Sequence, residues 1–220
     1  MGQQTVKQAR AAFHERHASK YYSGPLHLLT TVGISLLVAT WSAMMLEKVS
    51  PLEWVTVPLT FLYANLSEYL GHRGPMHHKT RFLGEVFRRH SIEHHSFFTH
   101  EAVTFESSKD YKAVLFPPIL LAFFLGCFAA PVGAILYNLV SPNVCFLFVL
   151  TAVLYFLNYE LLHFVYHMNP QSTAGKLPFI SRLRRHHINH HNRSLMTSYN
   201  FNITYPICDR IFGTIYDGKN

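Results

Sequence analysis

Residues 143–167, NVCFLFVLTAVLYFLNYELLHFVYH, decide the fold. From Asn143 to Tyr159 there is no charged side chain and no histidine; Glu160, His163 and His167 then follow within eight positions. About 20 mostly apolar residues suffice for a helix to cross a bilayer. Residues four apart share a helix face, so this stretch reads as a span that ends by presenting two imidazoles on one side.

Three further apolar runs lie upstream. Leu26–Leu46 carries one ionisable side chain apart from tyrosine, His27, and Ala113–Tyr137 carries no charged residue or histidine. Trp54–Leu70 is apolar apart from two threonines until Asn65, Ser67 and Glu68 near its end. The expected fold is all-α, a single integral-membrane domain over 1–220. It has four transmembrane helices (about 26–46, 52–70, 113–137 and 143–162) in two hairpins, and a cytosolic helical cap formed by 71–112 and 163–220. Pro58, Pro117, Pro118 and Pro131 would damage helices in water but are tolerated in membrane spans. A water-soluble helical core is disfavoured, because only 14% of the chain is charged against about 25% in soluble domains.

Of the 19 Lys and Arg, 18 fall before the first run, between the second and third, or after the fourth, leaving Lys48 alone on the other side. The positive-inside rule puts those basic segments, and both termini, in the cytosol. The net charge of +7 is thereby a topology signal, and no nucleic-acid partner is needed to explain it. The segment before the first run is weakly amphipathic (Val6, Ala9, Phe13) and is expected to lie on the membrane surface. A cleaved signal peptide is not expected, since the apolar run is too long and starts too late. Cys127, Cys145 and Cys208 have no metal-binding or disulfide spacing. Asn192 and Asn202 head glycosylation patterns, but on the cytosolic side.

Twelve of the 16 histidines gather in four groups on that side. The first holds His72 and His77, five apart, which can converge only if the chain breaks between them; Gly74-Pro75 supplies the break. In the second, His90 and His94 are one helical turn apart and His95 follows. The third is His163 and His167. The fourth, RRHHINHHN at 184–192, spaces His187, His190 and His191 as i, i+3, i+4. Imidazoles on adjacent turns of a helix face are the geometry a metal site asks of helices. Ten of them (72, 77, 90, 94, 95, 163, 167, 187, 190, 191) exceed what one ion can bind, whereas two ions fit. Bound cations would keep so many imidazoles neutral beside Arg184 and Arg185. Imidazole suits Fe, Zn, Cu and Ni. Glu160 and Glu68, each near a histidine of its own helix, are candidate acceptors for the ring N–H groups of His163 and His72. Asp209 is a candidate for ordering the tail or, equally, for capping. His78, His100 and His186 are left outside the ligand set.

The order His-x4-His, His-x3-His-His, His-x3-His, His-x2-His-His resembles the fatty acid hydroxylase and sterol desaturase superfamily of membrane oxidases. The likeness runs from about Glu68 to Thr214, and the tail Asn200–Thr214 is similar to that family's closing segment. The first box is closer to fatty acid 2-hydroxylases and the second to sterol desaturases. The resemblance implies a di-metal centre of two iron ions, with zinc as an alternative occupant after purification, held by the ten histidines. It also implies O2 as co-substrate and hydroxylation or desaturation of a lipid C–H bond. With no flavin, haem or nicotinamide motif in the chain, the electrons are expected from a separate donor such as cytochrome b5 or ferredoxin with its reductase. The expected membrane is the endoplasmic reticulum in a eukaryote or the inner membrane in a bacterium. A histidine-rich membrane metal transporter or metal-binding protein is the competing class. It would place ionisable groups near the bilayer midplane, whereas here they stand at the ends of the runs or beyond.

Overall fold

The computed structural model describes residues 3–216 and 218. Among them there is no β-strand, only an isolated bridge between Thr99 and Ala102. The chain forms two compact units, one of residues 26–64 and 116–160, the other of 1–25, 65–115 and 161–220.

The first unit is the apolar one. Helix α2 (Gly24–Met44) turns Thr31, Ser35, Ala39 and Ser42 inward, all buried. These small side chains recur at helical spacing, and small residues let membrane helices approach closely. Leu29, Leu37, Trp41 and Met44 of the same helix are exposed, as suits a helix whose outer face meets lipid tails. Helix α3 (Thr56–Gly71) follows, then α7 (Pro118–Phe124), α8 (Ala130–Leu139) and α9 (Pro142–Tyr166). The turns near 47–53 and 141–143 are tied together. Glu53 accepts the Ser141 hydroxyl at 2.6 Å, and Asn143 donates to the Glu47 carbonyl at 2.7 Å.

Gly24–Met44, Ser108–Leu139 and Pro142–Tyr166 are long and apolar enough to cross a bilayer. The second expected span falls short of this, because α3 has 16 residues. The expected third span does not run as one helix from 113. Short α6 (Tyr111–Val114) ends at an extended Leu115, and α7 starts afresh at Pro118. Pro117-Pro118 is the cause, since proline lacks an N–H and pushes the preceding residue out of the helical region. A π-helical turn, Leu125–Ala129, then joins α7 to α8.

The second unit contains α1 (Gln3–His17), the short helices α4 (Gly84–Phe87) and α5 (His95–Phe97), α10 (Pro178–His190) and α11 (Ile207–Ile211). Two π-helical stretches, His72–Met76 and Arg88–His94, lie among them. Helix α1 buries Val6, Arg10 and Phe13. Phe13 meets Phe97 edge-on at 5.2 Å between ring centroids. The apolar stripe of α1 is thus spent on this unit.

Candidate metal centre

All ten histidines singled out by spacing lie in the second unit and are buried. They fall into two sets of five: His72, His77, His90, His95 and His190, and His94, His163, His167, His187 and His191. Within each set the candidate ligand atoms lie within 4.8 Å of one another. The sets adjoin, with His95 of the first stacked on His191 of the second at 4.5 Å between centroids.

Backbone geometry decides which histidine joins which set. His90 and His94 were expected to share a face at i, i+4, yet they enter different sets, and His90 is joined by His95. The reason is the π-helical stretch Arg88–His94. Its i→i+5 hydrogen bonding brings residues five apart into line. The same widening serves His72 and His77, with the break where expected, at Gly74 (φ −88°, ψ −105°). In α10, His187 and His191 keep the α-helical i, i+4 relation in the second set, while His190 turns to the first. His163 and His167 share the second set as their spacing implies.

The orienting partners are mostly backbone carbonyls. Nδ1 of His94 donates to Ala113 O (2.8 Å), of His167 to Val103 O (2.6 Å), of His190 to Tyr199 O (3.1 Å) and of His191 to Phe98 O (2.7 Å). His72 Nδ1 donates to Phe201 O, and His163 donates to Val114 O. The Ser91 hydroxyl gives its one hydrogen to Met76 O at 2.7 Å, so at 3.0 Å it accepts from His77 Nδ1. A carbonyl can only accept, so Nδ1 carries the proton and a neutral ring keeps its lone pair on Nε2.

Those Nε2 atoms face one another: His77 and His190 at 2.9 Å, His72 and His90 at 2.8 Å, His163 and His167 at 3.2 Å, His187 and His191 at 3.0 Å. For His77 and His190 both Nδ1 protons are spoken for, so no hydrogen remains to join the two Nε2 atoms. Lone pairs this close repel unless a cation lies between them. His94 Nε2 is buried with no hydrogen-bond partner, which also suits a ligand atom. With metal–nitrogen bonds of about 2.1 Å, neighbouring nitrogens are about 3.4 Å apart on a tetrahedron and about 3.0 Å apart on an octahedron. The Nε2 separations, from 2.8 to 3.2 Å, are in the range of donor atoms gathered around one ion.

Burial supplies the electrostatic half of the fit. It pushes the imidazoles of His72 and His94 down to about 4, and neighbouring histidines add to burial in driving His90, His95, His187 and His190 well below their usual 6.5. Around neutral pH the rings are uncharged and ready to ligate. Phe98, Phe201 and Tyr166, all fully buried, pack on these rings and exclude water.

The carboxylates take partners other than those expected. Glu68 accepts the backbone N–H groups of Ile203 and Thr204 and the Thr204 hydroxyl (2.6 Å), so it anchors the tail, and His72 relies on a carbonyl. Glu160, also buried, accepts the Phe116 N–H at 3.1 Å. Asp209 does order the tail, accepting from Phe201 N, Asn202 N, the Thr214 hydroxyl and His186. Burial alone would raise its pKa, but these hydrogen bonds outweigh burial and hold it below the usual value. Asn200 sits at φ +58°, a left-handed turn that asparagine tolerates better than most residues. It separates the two carbonyls, 199 and 201, that aim His190 and His72. His78 is exposed and bonds only to Arg73 O, and His100 is also exposed. Sequence reasoning missed Ser91 and Asn200, for which the sole signal is residue type.

An all-helical chain with membrane-length apolar helices and two buried pentahistidine sets defines a histidine-rich membrane protein built to bind metal. The family model described as Fatty acid hydroxylase matches residues 57–214, and the chain belongs to that family. It is accordingly an oxidoreductase. No curated protein sequence matches. Among solved structures, one titled full-length scs7p, with only its hydroxylase domain visible, is similar at TM-score 0.62 and 19% identity, covering 87% of this chain and 67% of that one. That likeness shows a shared fold.

Proposed function

We propose that this chain is a membrane di-iron hydroxylase that inserts oxygen from O2 into a C–H bond of a lipid. One oxygen atom enters the C–H bond and the other leaves as water, consuming two protons and two electrons. The observation that carries this reading is the paired Nε2 lone pairs at 2.9 Å between His77 and His190, in a member of the fatty acid hydroxylase family. His72, His77, His90, His95 and His190 would hold one ion, and His94, His163, His167, His187 and His191 the other. Iron is among the metals that imidazole suits, and when bound the pair would supply the activation of O2. The protein's own part is to keep ten rings neutral, fix the tautomers of six of them (His72, His94, His163, His167, His190 and His191) through backbone carbonyls, and shut water out with Phe98, Phe201 and Tyr166. Glu68 and Glu160 are positioning residues. The first holds 203–204 beyond the Phe201 carbonyl, and the second holds Phe116 two positions after the Val114 carbonyl used by His163.

The lipid reaches the centre from the bilayer, because His72 and His163 follow directly in sequence on the second and fourth apolar runs. Electrons come from a separate cytosolic donor of the cytochrome b5 or ferredoxin kind. Iron-loaded protein in vesicles, given O2 and a reductase chain, should form hydroxylated lipid, and omission of the donor should limit this to a single turnover. Sustained turnover without reductant, or no lipid product across fatty acyl and sterol substrates, would refute the assignment.

The four-span arrangement, with 1–25, 71–112 and 163–220 facing the cytosol, rests on the placement of 18 of the 19 basic residues. Single cysteines introduced at Lys48 and Lys109 of a cysteine-free variant should label from opposite sides of the membrane. Labelling from one side would contradict it.

A further inference from the structure

Helix α1 lies outside the matched family region, which begins at residue 57, yet it reaches the loop that aims part of the second histidine set. Arg10, 7% exposed, donates from Nε to Phe97 O at 3.1 Å and from Nη2 to Ala102 O and Thr104 O, both at 3.0 Å. Its Nη1 meets Glu106 at 2.7 Å, and the guanidinium lies 5.0 Å from the Phe97 ring centroid. The neighbouring carbonyls of the same loop are taken by the site: Phe98 O receives His191 Nδ1, and Val103 O receives His167 Nδ1. The carbonyls at 97, 102 and 104 are gripped from one side, while those at 98 and 103 are presented to the histidines. Between α5 and residue 107 this loop has no helix or strand, and its backbone is tied by the Thr99–Ala102 bridge and by Phe105 N–H donating to His167 O at 3.0 Å, to which Arg10 adds three carbonyl contacts.

We propose that Arg10 is a positioning residue that sets the orientation of His167 and His191, and so tunes metal affinity at the second set more than at the first. This rests on the two-ion reading of the centre. Selectivity follows from the partners of three first-set histidines, His72, His77 and His190, which are aimed by Phe201 O, Ser91 and Tyr199 O, while His95 alone of that set shares α5 with Phe97. Arg10 donates to none of these. A planar guanidinium can serve several carbonyls at once, which a lysine ammonium on its flexible stem reproduces poorly.

Full-length protein, stripped by chelator and titrated with Co(II), reads both sets through metal affinity and the visible ligand-field spectrum. Wild type should take up two ions. Arg10→Ala should weaken one of them by about 10–100-fold, as loss of an outer partner of ligating histidines does, and should alter its spectrum while the other ion is weakened less. Arg10→Lys should fall between the two, and it carries the same test if the alanine variant does not fold. Lys7→Ala, an exposed change on the same helix, should match wild type. Equal weakening of both ions in the Arg10 variants would mean general loosening of the unit, and unchanged affinity would mean no positioning; either result overturns the proposal. Failure of wild type to bind two ions would instead remove the reading beneath it.

Discussion

Replacing His167 by alanine should leave one tightly held ion per chain and reduce lipid oxidation by more than about 100-fold, beyond the 10–100-fold typical of outer-partner changes. His167 Nε2 lies 3.2 Å from His163 Nε2 and 3.1 Å from His187 Nε2, so its loss removes a donor from the middle of the second set. The ring is fully buried against Phe98 at 4.1 Å between centroids, and the void would let the neighbouring rings relax away from ligating positions. His190→Ala should do the same to the first set. His78→Ala, on an exposed side chain that bonds only Arg73 O, should change neither quantity. Metal analysis of the three purified variants checks this, and two ions retained in His167→Ala would place the metal elsewhere.

Asp209→Ala should cost about 3–5 kcal/mol of stability, the usual cost of removing one partner from a buried charged network. The Asp209 carboxylate is fully buried and accepts from Phe201 N at 2.9 Å, Asn202 N at 2.7 Å, the Thr214 hydroxyl at 2.6 Å and His186 Nε2 at 3.1 Å. Alanine would leave those donors buried without an acceptor. Because the folded pKa is depressed, the ionised group's contribution is fully present at neutral pH. It is lost as the pH falls below the unfolded value of 3.8 and through the folded one. The damage should extend to metal binding, since Phe201 also supplies the carbonyl that aims His72. Denaturant unfolding of the detergent-solubilised variant, with metal content measured alongside, should show lower stability and a depleted first set. Unchanged stability would mean that the tail is held by Glu68 and Asn202 without it.

The membrane character and the histidine inventory were legible because both are written in residue type: apolar runs of 17 residues or more, and imidazoles at helical intervals. What the sequence did not reveal was the division of the ten histidines into two sets. That division depends on the π-helical stretch Arg88–His94, which changes the angular step per residue and so sends His94 away from His90. Residue composition carries no mark of a wider helix there, whereas Gly74-Pro75 marks the other break openly. The orienting groups were hidden for a related reason. A nearby glutamate is visible in a sequence and suggests itself as the acceptor for a histidine, but every residue has a carbonyl. Which carbonyl faces His72 or His191 is settled by loops folding back from positions 129 and 93 residues away. Arg10 belongs with these. It reads as one of several basic residues before a membrane span until the loop at 97–106 is seen to close on it.

The two-ion centre is tested most directly by protein purified without oxygen, loaded with Fe(II), and measured for iron per chain together with the ligand shell by X-ray absorption. Two pentahistidine sets predict two irons per chain, with nitrogen dominating the first shell at about 2.1 Å and no sulfur. One iron or none, or a shell containing sulfur from Cys127, Cys145 or Cys208, would contradict it.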